Sequence, residues 1–217
     1  VIDLQYLFIS DWYFVSGQKI DLEEVRYRNL SKIKGTVPTS ILGSDYGRNN
    51  QTIKEAFFRM ITSAQEEVLI TTPYFVPDDS ILNALKITAK SGVKVSLLLP
   101  EKPDSRTAYY ASQTYFKDLL KSGVEINYYT RGMMHSKTMI IDEAISTVGS
   151  TNMDQRSFNL NAEVNAFMLS KKIAQDLKSN FMYDLKDSYP LTLEMLRRRK
   201  WYVKVICSIA RLLAPIL

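Results

Sequence analysis

Apolar positions recur along this chain with two periods, and the switches between them outline most of the fold. From Asn49 to about Glu66 an apolar side chain returns to one face every three to four residues, through Ile53, Ala56, Phe57, Met60 and Ile61, which predicts a helix. The same spacing predicts helices over Ser80 to Lys90, Arg106 to Lys121 and Lys171 to Asp187, the last turning Ile173, Leu177, Phe181 and Leu185 inward. Short β-branched or apolar runs predict strands at Val68–Thr72, Lys94–Leu99, Glu125–Thr130, Thr138–Ile141 and Ile145–Val148, with a further strand from Glu163 to Leu169. Ser91-Gly92-Val93 and Ser122-Gly123-Val124 repeat one helix-end-to-strand signal. This order of strands and helices predicts an α/β sandwich with a mixed sheet.

The N-terminal part is organised differently. Leu4, Leu7, Phe8, Trp12 and Val15 give helical spacing up to Gly17, a plausible C-cap, and Trp12-Tyr13-Phe14 is expected to pack on a core. Asp21 to Lys34 is charged and reads as a connector, and Val37 to Asp45 as a short strand leading to a loop. The expected divisions are therefore a helix over residues 1–20, a connector over 21–44, a domain over 45–190 and a tail over 191–217.

Composition narrows the chemistry. With 46% hydrophobic residues in 217, the chain can bury a sizeable core. The single Cys207 excludes an internal disulfide and a cysteine metal cluster. One histidine makes a zinc site unexpected, and no metal or cofactor is called for. A net charge of +5 suits nucleic acid or an anionic membrane without deciding between them. No apolar run is long enough to span a bilayer, and a start at Val1 without a signal peptide reads as the latter part of a longer protein.

That one histidine heads the most informative stretch, H-x-K-x4-D-x6-G-S-x-N, from His135 to Asn152. If His135 and Lys137 continue the strand at Thr138, they share a face about 7 Å apart. An imidazole can attack phosphorus or shuttle a proton, and an ammonium stabilises charge on phosphoryl oxygens, so the pair suits a phosphorus-centred anion. Gly149 permits a tight turn, and Ser150 and Asn152 can hydrogen-bond the same phosphate. Asp142 begins a turn-forming pair, mainly a structural position, but it stays with His135 and Lys137 as the third catalytic candidate. Glu163 alternates with apolar residues and is placed to orient His135. In Pro73-Tyr74-Phe75-Val76-Pro77-Asp78, two readings stand together: a helix-entry turn capped by Asp78 or Asp79, and a stiff loop holding Tyr74 at the lip of the phosphate site.

From Arg197 onward a helical wheel puts Arg197, Lys200, Lys204, Ser208 and Arg211 on one stripe and Trp201, Val205, Ile209, Leu212, Leu213 and Ile216 on the apolar side. That is the pattern of a helix lying in a bilayer interface, the alternative being a terminal helix docked on the protein or a partner.

The whole motif, with the PYFVP loop, the SDWYF segment of the first helix and the basic-apolar tail, resembles the cardiolipin synthase branch of the phospholipase D superfamily, in its second motif-bearing half. The resemblance implies a phospholipase D-like α/β/α sandwich forming one half of a pseudo-two-fold pair. It implies phosphatidyl transfer between two phosphatidylglycerols through a phosphohistidine, with His135 as acid and base and with Lys137, Asp142, Ser150, Asn152, Glu163 and Tyr74 at the site. Implied partners are phosphatidylglycerol, anionic membrane lipid and the missing half, with no nucleic acid. Implied location is the cell membrane, peripheral through the tail, with transmembrane helices upstream. The departure from the family is a single motif where two are usual. A water acceptor, as in hydrolytic relatives, or a single-motif homodimeric nuclease are the alternatives.

Overall fold

A computed structural model of the chain describes residues 2–21, 35–44 and 51–217. Most of the connector expected from Asp21 to Lys34, and the helix opening expected at Asn49 and Asn50, lie outside the described residues. The elements in order are α1 (Ile2–Ser16), β1 (Thr39–Ser44), α2 (Thr52–Ser63), β2 (Glu67–Thr71), β3 (Phe75–Val76), α3 (Asp79–Lys90), β4 (Lys94–Pro100), α4 (Arg106–Lys121) and β5 (Glu125–Tyr129). They continue with β6 (Thr138–Ile141), β7 (Ile145–Gly149), β8 (Met153–Asp154), α5 (Gln155–Asn159), β9 (Glu163–Leu169), α6 (Lys171–Leu185), β10 (Ser188–Pro190), α7 (Leu193–Arg197) and α8 (Trp201–Leu212).

Local chemistry sets the boundaries. The Asp78 carboxylate accepts the Ile81 N–H at 3.0 Å and so caps α3, while Ser105 and Ser170 cap α4 and α6 in the same way. Gly92 and Gly123 take φ +95 and +93 where those helices turn into β4 and β5, a conformation that costs glycine little.

An eight-stranded sheet runs β1-β9-β7-β6-β2-β4-β5-β10. β2, β4 and β5 are parallel, joined by α3 and α4 as crossovers, and the other pairs are antiparallel. Alternation along β2 sorts its side chains to two cores. Val68 and Ile70 join Phe57, Ile61, Leu85 and Phe116 on the face covered by α2, α3 and α4. Leu69 joins Leu98, Ile140, Ala174 and Phe181 on the face covered by α6. Each fully buried Leu, Ile or Phe contributes roughly 1.5–3 kcal/mol, so the three layers are held by two cores that share one sheet. This is the expected sandwich with a mixed sheet.

Three expectations are corrected. Trp12, Tyr13 and Phe14 do not pack on a core: α1 buries no residue, Phe14 is 89% exposed, and the helix meets β1 through Leu7 against Gly43. The predicted helix to Asp187 ends at Leu185, where the chain turns into β10 beside β5. The tail is docked as well as amphipathic: Cys207, Ala210 and Ala214 are buried, and the Arg211 guanidinium lies 4.7 Å from the Tyr115 ring centroid of α4. Small side chains permit this close approach, while Trp201, Val205, Ile209, Leu212 and Ile216 point outward and stay exposed.

Candidate functional site

His135 and Lys137 sit in an extended segment just before β6 rather than within it. Two contacts fix that segment. Met134 is buried in the second core beside Leu69 and Ile140, and the Lys137 carbonyl accepts the Gly149 N–H at 3.3 Å. With Met134 turned inward, the His135 side chain is carried to the surface. Lys137 Nζ lies 3.1 Å from His135 Nδ1 and 3.4 Å from Nε2, and donates to the His135 carbonyl at 2.8 Å. Imidazole and ammonium therefore converge on one spot.

Acidic residues surround the lysine. Its partial burial lowers the ammonium pKa from its ordinary value, and the fields of Glu163, Asp154 and Asp104 oppose that. Asp154 is itself buried, which raises its carboxyl, although it accepts the Ser157 N–H at 2.7 Å and caps α5. Asp154 and Asp104 were not among the residues singled out by sequence. The available signals were that Asp154 follows Asn152 by two positions and that Asp104 lies in the loop beyond the C-terminal end of a parallel strand, where α/β sites collect.

Behind the pair, the turn after β7 is braced rather than open. The Ser150 N–H donates to the Val164 carbonyl at 2.9 Å, and its hydroxyl accepts the Val164 N–H at 2.9 Å. That hydroxyl also donates to Glu163 Oε2, and Asn161 Nδ2 donates to Glu163 Oε1 at 2.9 Å. Glu163 is thus placed near Lys137, but its oxygens are engaged by Ser150 and Asn161 and not by His135. Asn152 Nδ2 donates to Ser157 Oγ at 3.2 Å, and its Oδ1 is buried with no partner among the described residues. The buried Asn165 amide accepts from Thr151 N–H and donates to Thr147, and a Cβ at Gly149 would stand 2.3 Å from the Asn165 side chain and from the Val164 carbonyl. Only glycine fits there.

The PYFVP loop is stitched to this turn. β3 pairs with β8, Phe75 opposite Met153 and Val76 opposite Asp154, and Thr72 Oγ1 links the Met153 N–H to the Tyr74 carbonyl. Tyr74 consequently stands with its ring 6.2 Å from the His135 ring, edge to face. Its hydroxyl donates to Asp104 at 2.5 Å. Burial, then this carboxylate, pushes the phenol up to about 12, so it remains a proton donor at neutral pH. The turn reading holds, because Asp78 caps the following helix, and the same loop sets Tyr74 beside His135.

Asp142 is not brought to this site. It lies at the far end of β6, roughly 16 Å from Lys137 at about 3.3 Å per residue. Its carboxylate accepts the N–H groups of Gln65, Glu66 and Glu67 at 2.9, 2.9 and 2.8 Å, tying the start of β2 to the β6–β7 turn. Asp142 and Glu143 hold φ of +49 and +50 in that turn, the geometry of a tight hairpin. Lys178 of α6 closes the same end on Glu67 and Glu143. Among the described residues, no group of three or more His, Cys, Asp and Glu side chains is arranged to hold a metal ion.

Comparison with known proteins follows the same lines. Residues 57–185 match the family model described as "Cardiolipin synthase, PLD-like domain". A cardiolipin synthase of Halalkalibacterium halodurans is 42% identical over 214 residues, which is 99% of this chain and 42% of the relative. One from Listeria innocua is 40% identical over all of this chain and 45% of its own length. The chain thus spans less than half of the curated relatives it matches. Among solved structures, phosphatidylserine synthase of Haemophilus influenzae superposes with a TM-score of 0.67 at 14% identity, over 86% of this chain and 49% of that one. Nuc of Salmonella typhimurium, a phospholipase D family member, superposes at 0.61 and 19% identity, over 71% of this chain and 99% of that one. At such identities these two speak for the fold.

Proposed function

The chain belongs to the cardiolipin synthase family of phospholipase D-like domains, and from that premise we propose that it is the second motif-bearing half of a phosphatidyltransferase making cardiolipin and glycerol from two phosphatidylglycerols. The observation that supports this most directly is the convergence of Lys137 Nζ on the His135 imidazole, 3.1 Å away, on an exposed part of the surface. In-line displacement at phosphorus needs one group attacking and one protonating the departing oxygen, on opposite sides. One imidazole cannot do both at once, so the upstream half supplies the attacking histidine.

In the first step that histidine bonds to phosphorus and the bond to the headgroup glycerol oxygen breaks. His135, protonated, gives its proton to that oxygen and glycerol leaves. In the second step neutral His135 takes the proton from a hydroxyl of the second phosphatidylglycerol, whose oxygen attacks as the phosphorus–nitrogen bond breaks. Lys137 holds the charge on the non-bridging oxygens. Tyr74, its hydroxyl held by Asp104, walls the lip beside His135, and Glu163 keeps Ser150 and the turn in place. The docked tail, with its large apolar side chains outward and its cations beside them, associates the protein peripherally with an anionic membrane. No described helix is long and apolar enough to cross a bilayer.

The test is incubation of phosphatidylglycerol vesicles with the intact protein, with this chain alone, and with this chain plus the upstream half in trans. Cardiolipin and glycerol are expected from the first and third. Turnover by this chain as a monomer refutes the half-site reading, turnover only as a homodimer favours a single-motif assembly, and release of phosphatidic acid without cardiolipin favours a hydrolase.

A further inference from the structure

Away from His135, a pocket of about 390 Å³ opens between α4 and the segment running from α7 into α8. Its walls are cationic. Lys117 and Lys121 project from one side, Arg197 and Lys204 from the other, and Arg199 from the floor. Among the described residues none of the first four is in an ion pair, and no acidic residue lines the pocket. The nearest acid on α7, Glu194, is occupied by Arg198 at 2.5 Å. Arg199 is held in place by donating to the buried Gln113 amide, which is itself bonded to Tyr128. Leu193, Leu196 and Cys207 supply an apolar lining.

Uncompensated like charges around one cavity repel one another, so an arrangement of this kind gains most when an anion enters it. The neighbouring surface says which anion. Lys204 and Ser208 of α8 line the pocket, and on the same helix the next face round carries the exposed Trp201, Val205, Ile209 and Leu212. A ligand with an anionic head and apolar chains meets both surfaces at once, whereas a free phosphate meets only the first.

We infer that this pocket is a headgroup site for an anionic glycerophospholipid, separate from the catalytic centre, with the acyl chains running along the exposed ridge of α8. The inference rests on the placement of the tail at a membrane and not on the transfer chemistry, so binding measurements test it without turnover. The site would hold the protein to lipid in one orientation, by a saturable contact rather than by diffuse attraction.

The experiment measures binding of the intact protein to equimolar phosphatidylglycerol–phosphatidylcholine vesicles, with soluble glycerophosphoglycerol and inorganic phosphate as competitors. Lys117→Ala/Lys121→Ala should weaken binding about 10- to 30-fold, since each basic residue at such a surface is worth about fivefold. Lys171→Ala/Lys172→Ala, the same charge change on α6 across the sheet, should weaken it about twofold or less. Ser208→Phe fills the pocket mouth at unchanged charge and should also weaken binding and abolish competition by glycerophosphoglycerol. All these positions are exposed, and thermal melts check that the variants fold. Equal losses for the two lysine pairs, or wild-type behaviour of Ser208→Phe, overturn the site in favour of diffuse electrostatics. Competition by inorganic phosphate as strong as that by glycerophosphoglycerol overturns the lipid assignment.

Discussion

Replacing Asp142 separates a structural aspartate from a catalytic one. Its carboxylate accepts three backbone N–H groups, from Gln65, Glu66 and Glu67. A hydrogen bond to a charged group contributes about 1.5–3 kcal/mol net, and the penalty for its loss is smaller where water can replace it. Gln65 and Glu66 are exposed, and Glu67 is half-buried. The expected cost of Asp142→Ala is therefore about 2–4 kcal/mol rather than the full sum. For a domain of this size, 1 kcal/mol moves Tm by about 2–4 °C, so the shift should be about 5–15 °C. Asp142→Asn keeps a side chain that tolerates the left-handed backbone and one accepting oxygen, and should cost about half as much. The measurements are thermal and urea melts, with turnover of the intact protein assayed well below Tm. Turnover at that temperature should stay within a few-fold of wild type. A loss of about 10²-fold or more, with an unchanged melt, would refute the argument and return Asp142 to the chemistry.

His135→Ala and Lys137→Ala should each lower turnover by about 10²-fold or more with little change in melting, since His135 is exposed and Lys137 has no ion pair among the described residues; near-normal rates for either would sink the site assignment. Gly149→Ala should destabilise by about 1–3 kcal/mol or more, because the new methyl meets backbone at Val164 as well as the Asn165 side chain, and a melt matching wild type would show that the turn can shift. Burial raises the Asp78 carboxyl, but its bonds from Ile81, Ser80 and Lys54 outweigh this and hold it below the ordinary range. Its contribution is thus present above the unfolded pKa, near 3.9, and is lost as pH falls through the lower folded value. Asp78→Asn should flatten that acid limb in pH-dependent melts, and an unaltered limb would mean that other carboxylates govern it.

Where one pattern dominated, the sequence was readable. β6 lies at Thr138–Ile141 as predicted, and α4 at Arg106–Lys121, because a β-branched run and a capped amphipathic stretch leave few alternatives. Pairings made by very short elements were not readable. β3 and β8 have two residues each, too few to show a period, yet their pairing sets Tyr74 beside His135. The position of Asp142 followed from turn chemistry, whereas its three N–H partners lie over 70 residues away in the chain and left no local trace. Much the same holds for the tail. Its wheel showed the cationic stripe and the large apolar residues, but Cys207, Ala210 and Ala214 dock because they are small, and smallness reads as weak hydrophobicity.

β1 has a bearing on how the molecule is assembled. It is one of the two edge strands, and among the described residues its only partner in the sheet is β9, with Ser44 opposite Glu163. Most of the domain lies between the two in sequence. The β2–β4–β5 crossovers and the β6–β7 hairpin close short loops, whereas β1 must find its neighbour across more than half of the polypeptide, a slow search that can finish only after β9 is in register. β9 carries Glu163 and Asn165, the side chains that brace the turn behind Lys137. β9 finds β7 over a short loop, so β1 is the last of these strands to be secured, and pulsed hydrogen exchange should find β1 protected after β9, β2, β4 and β5. Until then β9 is itself the open edge, and the brace behind Lys137 has one flank uncovered.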